Sequence, residues 1–207
     1  MAETSTRAAL SLAKQQQILD GARTLFLEVG YERACLDVVA SRAGVSKATI
    51  YSHFHDKKAL FVACSREQSA AMREGVLALL DASTGDLERD LLQIGVTLMR
   101  YVLSREAIAL RRVIVAEAAR FPELGKALWE DGACSMRTRF AEYLQRRAEA
   151  GALRIDDLAA AAGQFLALCR GELYIQTELG ITQEPTDEQI QQTVRGAVST
   201  FLRAYRA

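Results

Sequence analysis

The sequence contains few residues that interrupt helices. Only two of its 207 residues are proline, which breaks the interior of a helix. The alternation of apolar and polar residues that is typical of strands, bounded by turn residues, is also missing. From the helical periodicity we therefore expect an all-α protein of about nine helices.

Patterns that carry catalysis or bind metals are missing as well. The sequence has two histidines, no Ser/His/Asp arrangement and no glycine-rich phosphate loop. Its cysteines lack the spacing of metal ligands, and in a reducing compartment they are most simply free thiols. We expect no catalytic residues, no metal and no cofactor, so an enzyme is a poorly supported alternative. The cysteines are Cys35, Cys64, Cys134 and Cys169.

Long apolar runs and an excess of one charge are absent too. No run approaches the ~20 residues of a membrane span, and residues 1–17 lack the apolar core of a signal peptide. We therefore expect a cytoplasmic protein with no membrane partner. The formal net charge is zero, so the charge of the whole chain does not indicate a nucleic-acid partner. The length allows one large domain or two small ones.

The stretch from Leu36 to Phe54 is predicted to form two short helices joined by a tight turn. Gly44 ends the first helix, where a left-handed backbone is favourable for glycine, and Ser46 caps the second helix. Two helices joined by a short turn that contains glycine form a helix-turn-helix, whose second helix can enter the major groove of DNA. A plain helical corner is the alternative.

The surface of the second helix favours DNA binding over a plain corner. Most of its side chains carry hydrogen-bonding groups of the kind that meet phosphates and base edges. Ile50 and Phe54 form a narrow apolar stripe that can dock the helix. The candidate DNA-binding residues, including one lysine from the next helix, are Ser46, Lys47, Ala48, Thr49, Tyr51, Ser52, His53 and Lys57.

A longer pattern runs from Gln17 to Ala63. Its residues are Ile18–Ala22, Leu25, Phe26, Gly30, Tyr31, Ala40, Ala43–Ser46, Thr49–Tyr51, His53, Phe54, Lys57, Leu60 and Phe61. In these positions the segment resembles the DNA-binding domain of the TetR family of bacterial repressors. The resemblance implies a helix-turn-helix domain at residues 13–60 and a helical effector-binding and dimerisation domain at residues 61–207. Ala116–Leu124 is faintly similar to the effector-binding halves of AefR-like efflux regulators.

Cys35 departs from this family pattern, in which a threonine usually caps the first helix of the motif. Cysteine is a poor N-cap, and Asp37 in the first turn compensates in part through the helix dipole. We expect Cys35→Thr to stabilise the domain by about 1 kcal/mol. A redox switch beside the DNA is the alternative to a tolerated small residue.

A long helix is predicted from Lys57 to Leu80, with Asp56 as its N-cap. Lysines in its first turn lie unfavourably at the positive helix end, so either Asp56 neutralises them or a phosphate binds there. The resemblance favours a phosphate contact for Lys57. Further helices are predicted at residues 86–103, 105–120, 122–150, 155–179 (capped by Asp156) and 186–205.

The C-terminal half holds polarisable and aromatic side chains that would suit a mostly apolar effector pocket, although such residues are as commonly plain core. Trp129, flanked by Glu130 and Asp131, is the first candidate, and this acidic flank would suit a cationic effector. Glu117 could add a buried charge to the pocket, or none. The effector-binding candidates are Met99, Trp129, Met136, Phe140, Phe165 and Tyr174.

The family resemblance places a homodimer interface on the last two helices, which would pair with those of a second subunit. By residue type, interface and monomer core are not separable here. The candidates are Phe165, Leu168, Val194, Val198, Phe201 and Leu202.

Together these patterns predict a ligand-responsive transcriptional regulator. We expect a repressor that binds a palindromic double-stranded DNA operator as a homodimer and is released by a small apolar or amphipathic effector. The alternatives are an activator of the same fold and a helical ligand-binding module without DNA binding.

Overall fold

The computed structural model describes the backbone of residues 2–82 and 84–207, and the side chains of that range except residues 2–9, 68–73 and 131. Over this part of the chain it forms ten α-helices, one π-helical segment and no strand, and an isolated β-bridge joins Leu153 to Arg206. The predicted all-α fold is confirmed. No described helix is long and apolar enough to cross a membrane.

The helices follow one another in chain order. They are α1 (Ala2–Arg33), α2 (Leu36–Ala43), α3 (Lys47–His53), α4 (Lys57–Asp81), α5 (Leu87–Val102), α6 (Arg105–Glu117), α7 (Pro122–Leu128), the π-helical segment Trp129–Cys134, α8 (Ser135–Glu149), α9 (Leu158–Glu178) and α10 (Asp187–Tyr205).

Local signals mark several helix ends, among them the predicted cap of α4. Gly30, with φ 82° and ψ 171°, breaks the helical backbone near the end of α1. Asp56 Oδ1 accepts a hydrogen bond from the Ala59 N–H at 2.7 Å and so caps α4. At the start of α10, Thr186 and Gln189 form a capping box, which satisfies two otherwise free N–H groups.

Two predicted elements differ from the structure. The single helix expected over residues 122–150 is divided by the π-helical segment, which contains Gly132, a residue of low α-helix propensity. The helix predicted to begin after Asp156 is instead capped by Asp157, whose side chain accepts from the Ala160 N–H. The residues just before α9 are not helical, and the Arg154 N–H donates instead to the Tyr205 carbonyl at 2.8 Å.

The contacts divide the chain into two compact units, which differ from the predicted domains at 13–60 and 61–207. Unit 1 comprises residues 1–68 and 109–128, and unit 2 comprises residues 69–108 and 129–207. The difference arises because apolar residues of α6 and α7 belong to the N-terminal core. These residues are Leu110, Ile114 and Leu124.

Unit 2 has a core of aromatic and aliphatic side chains from α5, α8, α9 and α10. The rings of Phe140 and Phe165 stack at 4.8 Å between centroids, and Phe201 meets Phe165 edge-on at 5.2 Å. The helices pack so closely at Gly95 that a Cβ there would lie 2.5 Å from Val194 Cγ1. Glycine at this position therefore permits the close approach of α5 and α10.

Candidate nucleic-acid interface

The turn between α2 and α3 has the geometry that the sequence predicts. Gly44 adopts a left-handed backbone with φ 64° and ψ 32°, and the Val45 N–H donates to the Ala40 carbonyl at 3.0 Å. Ser46 then caps α3, since its Oγ accepts from the Thr49 N–H at 3.1 Å. Ile50, fully buried, anchors α3 in the core of unit 1.

One face of α3 is left open to solvent, and we call it the recognition face. It consists of Lys47, Ala48, Tyr51 and Ser52, all exposed, while Thr49 and His53 are half-buried. The predicted residues of α3 therefore lie together on or beside one surface. Some of their hydrogen-bonding capacity is already used, because Ser52 Oγ donates to the Thr49 carbonyl at 2.7 Å.

A carboxylate from α2 holds the lysine of the recognition face. Lys47 Nζ donates to Asp37 Oδ2 at 3.0 Å, and Cys35 Sγ lies 3.5 Å from the same oxygen. Hydrogen bonds from Lys47 and then Cys35 lower the pKa of Asp37, and the bond to Asp37 raises the pKa of Lys47. Cys35 itself makes no side-chain cap for α2, as the sequence predicts for a cysteine at this position.

Lys57 is less available for a phosphate than the sequence suggests. Its Nζ donates to the carbonyl oxygens of Glu32 at 2.8 Å and Ala34 at 3.1 Å, and it lies 4.8 Å from the centroid of the Tyr31 ring. Burial lowers the pKa of this ammonium. Since an ammonium has three N–H donors, a phosphate would have to use the one that remains.

The end of α6 and the residues just after it contact the last turn of α1, which the sequence patterns do not indicate. Glu117 Oε1 accepts the Glu32 backbone N–H at 3.0 Å, and the Glu32 carboxylate pairs with Arg120. The ring of Phe121 meets Tyr31 edge-on at 5.0 Å. Glu117 therefore belongs to unit 1 rather than to an effector pocket in unit 2. No local sequence signal marks this contact, because its partners lie far apart in the chain.

The predicted effector residues do not form one open site. Phe140 and Phe165 are buried in the core of unit 2 together with Met99 and Met136. Trp129 lies largely exposed on the π-helical segment, with the Arg137 guanidinium 5.9 Å from its ring centroid. The side chain of Asp131, part of the predicted acidic flank, lies outside the described residues. Tyr174 is half-buried, with the guanidinium of Arg170 5.5 Å from its ring centroid.

Most of the predicted dimer residues face the interior of a single chain, as the alternative of monomer core would have them. Leu168 is exposed, but the other five are buried, because α9 and α10 turn their larger apolar side chains toward α5 and α8. The buried ones are Phe165, Val194, Val198, Phe201 and Leu202. Three further apolar side chains are exposed with Leu168 on or just beyond α9, namely Ile175, Leu179 and Ile181.

Comparison with known proteins agrees with this architecture. Residues 18–64 match the family described as "Bacterial regulatory proteins, tetR family", and residues 89–207 match the "AefR-like transcriptional repressor, C-terminal domain". The solved structure of the "Flavonoid-responsive Regulator FrrA" is similar with a TM-score of 0.79 and 31% identity, covering 93% of this chain and 97% of that one.

Two repressors are similar in sequence. The HTH-type transcriptional repressor AcnR of Corynebacterium efficiens is 33% identical over 144 residues, which is 69% of this chain and 70% of that protein. The HTH-type transcriptional repressor Rv1474c of Mycobacterium tuberculosis is 41% identical over 73 residues, which is 33% of this chain and 39% of that protein. The chain belongs to the TetR family of bacterial DNA-binding transcriptional regulators, with an AefR-like C-terminal domain.

Proposed function

We propose that the protein is a homodimeric repressor that binds a palindromic operator and leaves it when a small molecule binds unit 2. The observation that carries the proposal is the capped α3, which presents an acid-free polar face beside a glycine turn. The similarity to AcnR and Rv1474c, both named repressors, favours repression over activation. No catalytic activity is part of the proposal, and its place of action is the cytoplasm, where bacterial DNA lies.

The recognition face supplies both base and phosphate contacts in this proposal. Lys47 at the start of α3 donates to guanine, and Ala48 contacts a thymine methyl group. Tyr51, Thr49 and Ser46 bond to phosphates, which position the helix without reading sequence. In a dimer, two such helices meet half-sites one helical turn apart, about 34–36 Å.

The exposed apolar side chains of α9 provide the proposed dimer contact. Ile175 and Leu179, four residues apart at the end of α9, share one helix face. Leu168 lies before Gly171, where the backbone of α9 is non-helical (φ 48°, ψ −156°), and all three side chains are exposed in the single chain. We expect Ile175→Asp to yield monomers in light-scattering measurements. The matched control is Val115→Asp, which places the same charge at an exposed apolar position of α6 and should leave the dimer intact.

A small apolar or amphipathic effector is the proposed release signal. FrrA is by name a flavonoid-responsive regulator, which makes flavonoids the first compounds to test on this chain. An effector shifts the DNA equilibrium only by its differential affinity for two states, typically worth ~1–3 kcal/mol. The test is whether a flavonoid releases labelled DNA from the protein. If Trp129→Ala reduces that release, the effector binds near the π-helical segment.

Selection of genomic DNA fragments by the purified protein tests the proposed function. We expect recovery of a palindrome whose half-sites are one helical turn apart, with an affinity that falls as salt rises. A folded dimer that recovers no common sequence, with or without candidate effectors, would overturn the proposal. Reporter expression from the recovered operator then distinguishes a repressor from an activator.

A further inference from the structure

The ammonium of Lys47 is neutralised within the protein before DNA is present. Lys47 is the one Lys or Arg residue of α3, which contains no carboxylate, and it is bonded to Asp37 on α2. The cation on the recognition face and the nearby carboxylate therefore sum to zero. The affinity for DNA of arbitrary sequence depends on how many phosphates the protein neutralises with cations. The Lys47–Asp37 pair has no net charge and so does not raise that affinity.

Asp37 lies on the helix that approaches the DNA backbone. In a helix-turn-helix the first helix crosses the backbone, while residues at the N-terminus of the second helix contact base edges. Asp37 is in the first turn of α2, so an unpaired carboxylate there would repel phosphates. Lys47 offsets that repulsion only while the two side chains remain together.

We propose that Asp37 is a specificity-determining residue, which keeps Lys47 away from phosphates on arbitrary DNA and releases it to a guanine on the operator. The inference rests on the proposed function, in which α3 enters the major groove. Guanine presents two adjacent acceptors there, N7 and O6, and these compete with the carboxylate for the ammonium. A base without such acceptors leaves Lys47 on Asp37.

The exchange of partners requires little free energy. The Lys47 and Asp37 side chains are 48% and 64% exposed, and exposed ion pairs stabilise a protein only weakly. When Lys47 leaves, Asp37 keeps the Cys35 thiol as a neighbour and stays at the positive end of α2, which favours an anion. The guanine acceptors then hold the ammonium, and the thiol and the helix end limit the repulsion between Asp37 and nearby phosphates.

The test compares the affinity for the recovered operator with that for a scrambled duplex across salt concentrations. We expect Asp37→Asn to bind the scrambled duplex roughly five-fold more tightly, with a salt slope steeper by about 0.9 per subunit. We expect Lys47→Gln to weaken operator binding about ten-fold and scrambled binding clearly less, because the unpaired Asp37 then repels phosphates of either duplex while only the operator also loses the guanine contact. In the Asp37→Asn background, Lys47→Gln should weaken both duplexes.

Three further variants separate the role of this charge from general effects on the fold. Asp37→Ser should act like Asp37→Asn, and Asp37→Glu should retain discrimination. Glu28→Gln removes the acid of another ion pair of α2, in which Arg42 lies 2.6 Å from Glu28, and should leave the ratio of the two affinities unchanged.

Two results would overturn the inference while DNA binding itself stands. In the first, Asp37→Asn and Asp37→Ser both bind the scrambled duplex with the affinity and the salt slope of the unmodified protein. The other is an equal loss on both duplexes for Lys47→Gln. If the unmodified protein does not prefer the operator at all, the proposed function fails first, and the role of Asp37 fails with it.

Discussion

The buried ion pair of unit 2 leads to a quantitative prediction about stability. Asp90 is 5% exposed, and its Oδ2 lies 3.5 Å from the Arg147 guanidinium, whose side chain is 15% exposed. The Asp90 carboxylate also accepts from Thr84 Oγ1 at 2.6 Å and from the Thr84 N–H at 3.1 Å. We consider the replacement Asp90→Ala, which removes all of these acceptor atoms.

The expected cost follows from the charge that is left behind. Breaking a buried pair from one side costs about 3–5 kcal/mol, because the remaining charge is desolvated and uncompensated. Thr84 is exposed and can bond to water, so most of the loss comes from Arg147. A natural domain has a free energy of unfolding of roughly 5–15 kcal/mol, and Asp90→Ala should remove a large part of it.

A shorter but exposed ion pair in the same unit provides the control. Arg100 and Asp187 form two hydrogen bonds at 2.9 and 3.0 Å, yet their side chains are 51% and 65% exposed. Such a pair contributes about 0.2–1 kcal/mol, so Asp187→Ala should be mild despite the better geometry. Adding Arg147→Met to Asp90→Ala should recover much of the loss, since no unpaired charge then remains.

Urea unfolding is the assay for these variants. Trp129, the one tryptophan of the sequence, lies in unit 2, so its fluorescence reports on the unit that holds Asp90. The free energy of unfolding is obtained from the midpoint and the slope of the transition. The reasoning from burial would be refuted if Asp90→Ala and Asp187→Ala lowered the free energy of unfolding equally. It would also be refuted if adding Arg147→Met to Asp90→Ala restored none of the lost stability.

Three other predictions concern stability. Cys35→Thr should raise the free energy of unfolding by about 1 kcal/mol through a new N-cap, whereas Cys35→Ala should not; equal values in chemical denaturation would refute the capping argument. Gly95→Ala should destabilise by about 1–3 kcal/mol through overpacking against Val194, and an unchanged melting temperature would contradict that close contact. Burial raises the pKa of Tyr143 from 10.0 to about 12 and that of Cys169 from 9.0 to about 12, so the folded state holds protons that the unfolded state loses. Stability from these groups is present below pH 9 and declines as pH rises toward 12; urea midpoints across this range, compared with those of Tyr143→Phe, measure the tyrosine's share.

The helix-turn-helix could be predicted because its signals are local. Gly44 adopts the positive φ that only glycine accepts readily, and Ser46 makes the predicted cap within one turn of α3. Ile50 is fully buried while the next residue, Tyr51, is exposed, as its helical spacing indicates. These features depend on residues a few positions apart, and the sequence displays them directly.

Features that depend on distant contacts were not predictable in the same way. The pattern of α6 indicates an amphipathic helix, but not that Leu110 and Ile114 join the N-terminal core. The apolar stripe of α10 likewise does not say whether Val198 faces its own chain or a second one, and the structure buries it. The family resemblance assigns Lys57 to a phosphate, whereas its contact with Glu32 spans 25 positions of the chain.

Binding of the recovered operator by Ala48→Glu tests the central claim most directly. Ala48 is exposed on the recognition face, and glutamate is a good helix former, so α3 should persist while a negative charge faces the DNA. We predict at least a hundred-fold loss of operator affinity with an unchanged circular dichroism spectrum and melting temperature. Ala116→Glu, at an exposed position of α6 in the same unit, should bind normally. Operator affinity that is the same in both variants would contradict the assignment of α3 as the DNA-reading helix.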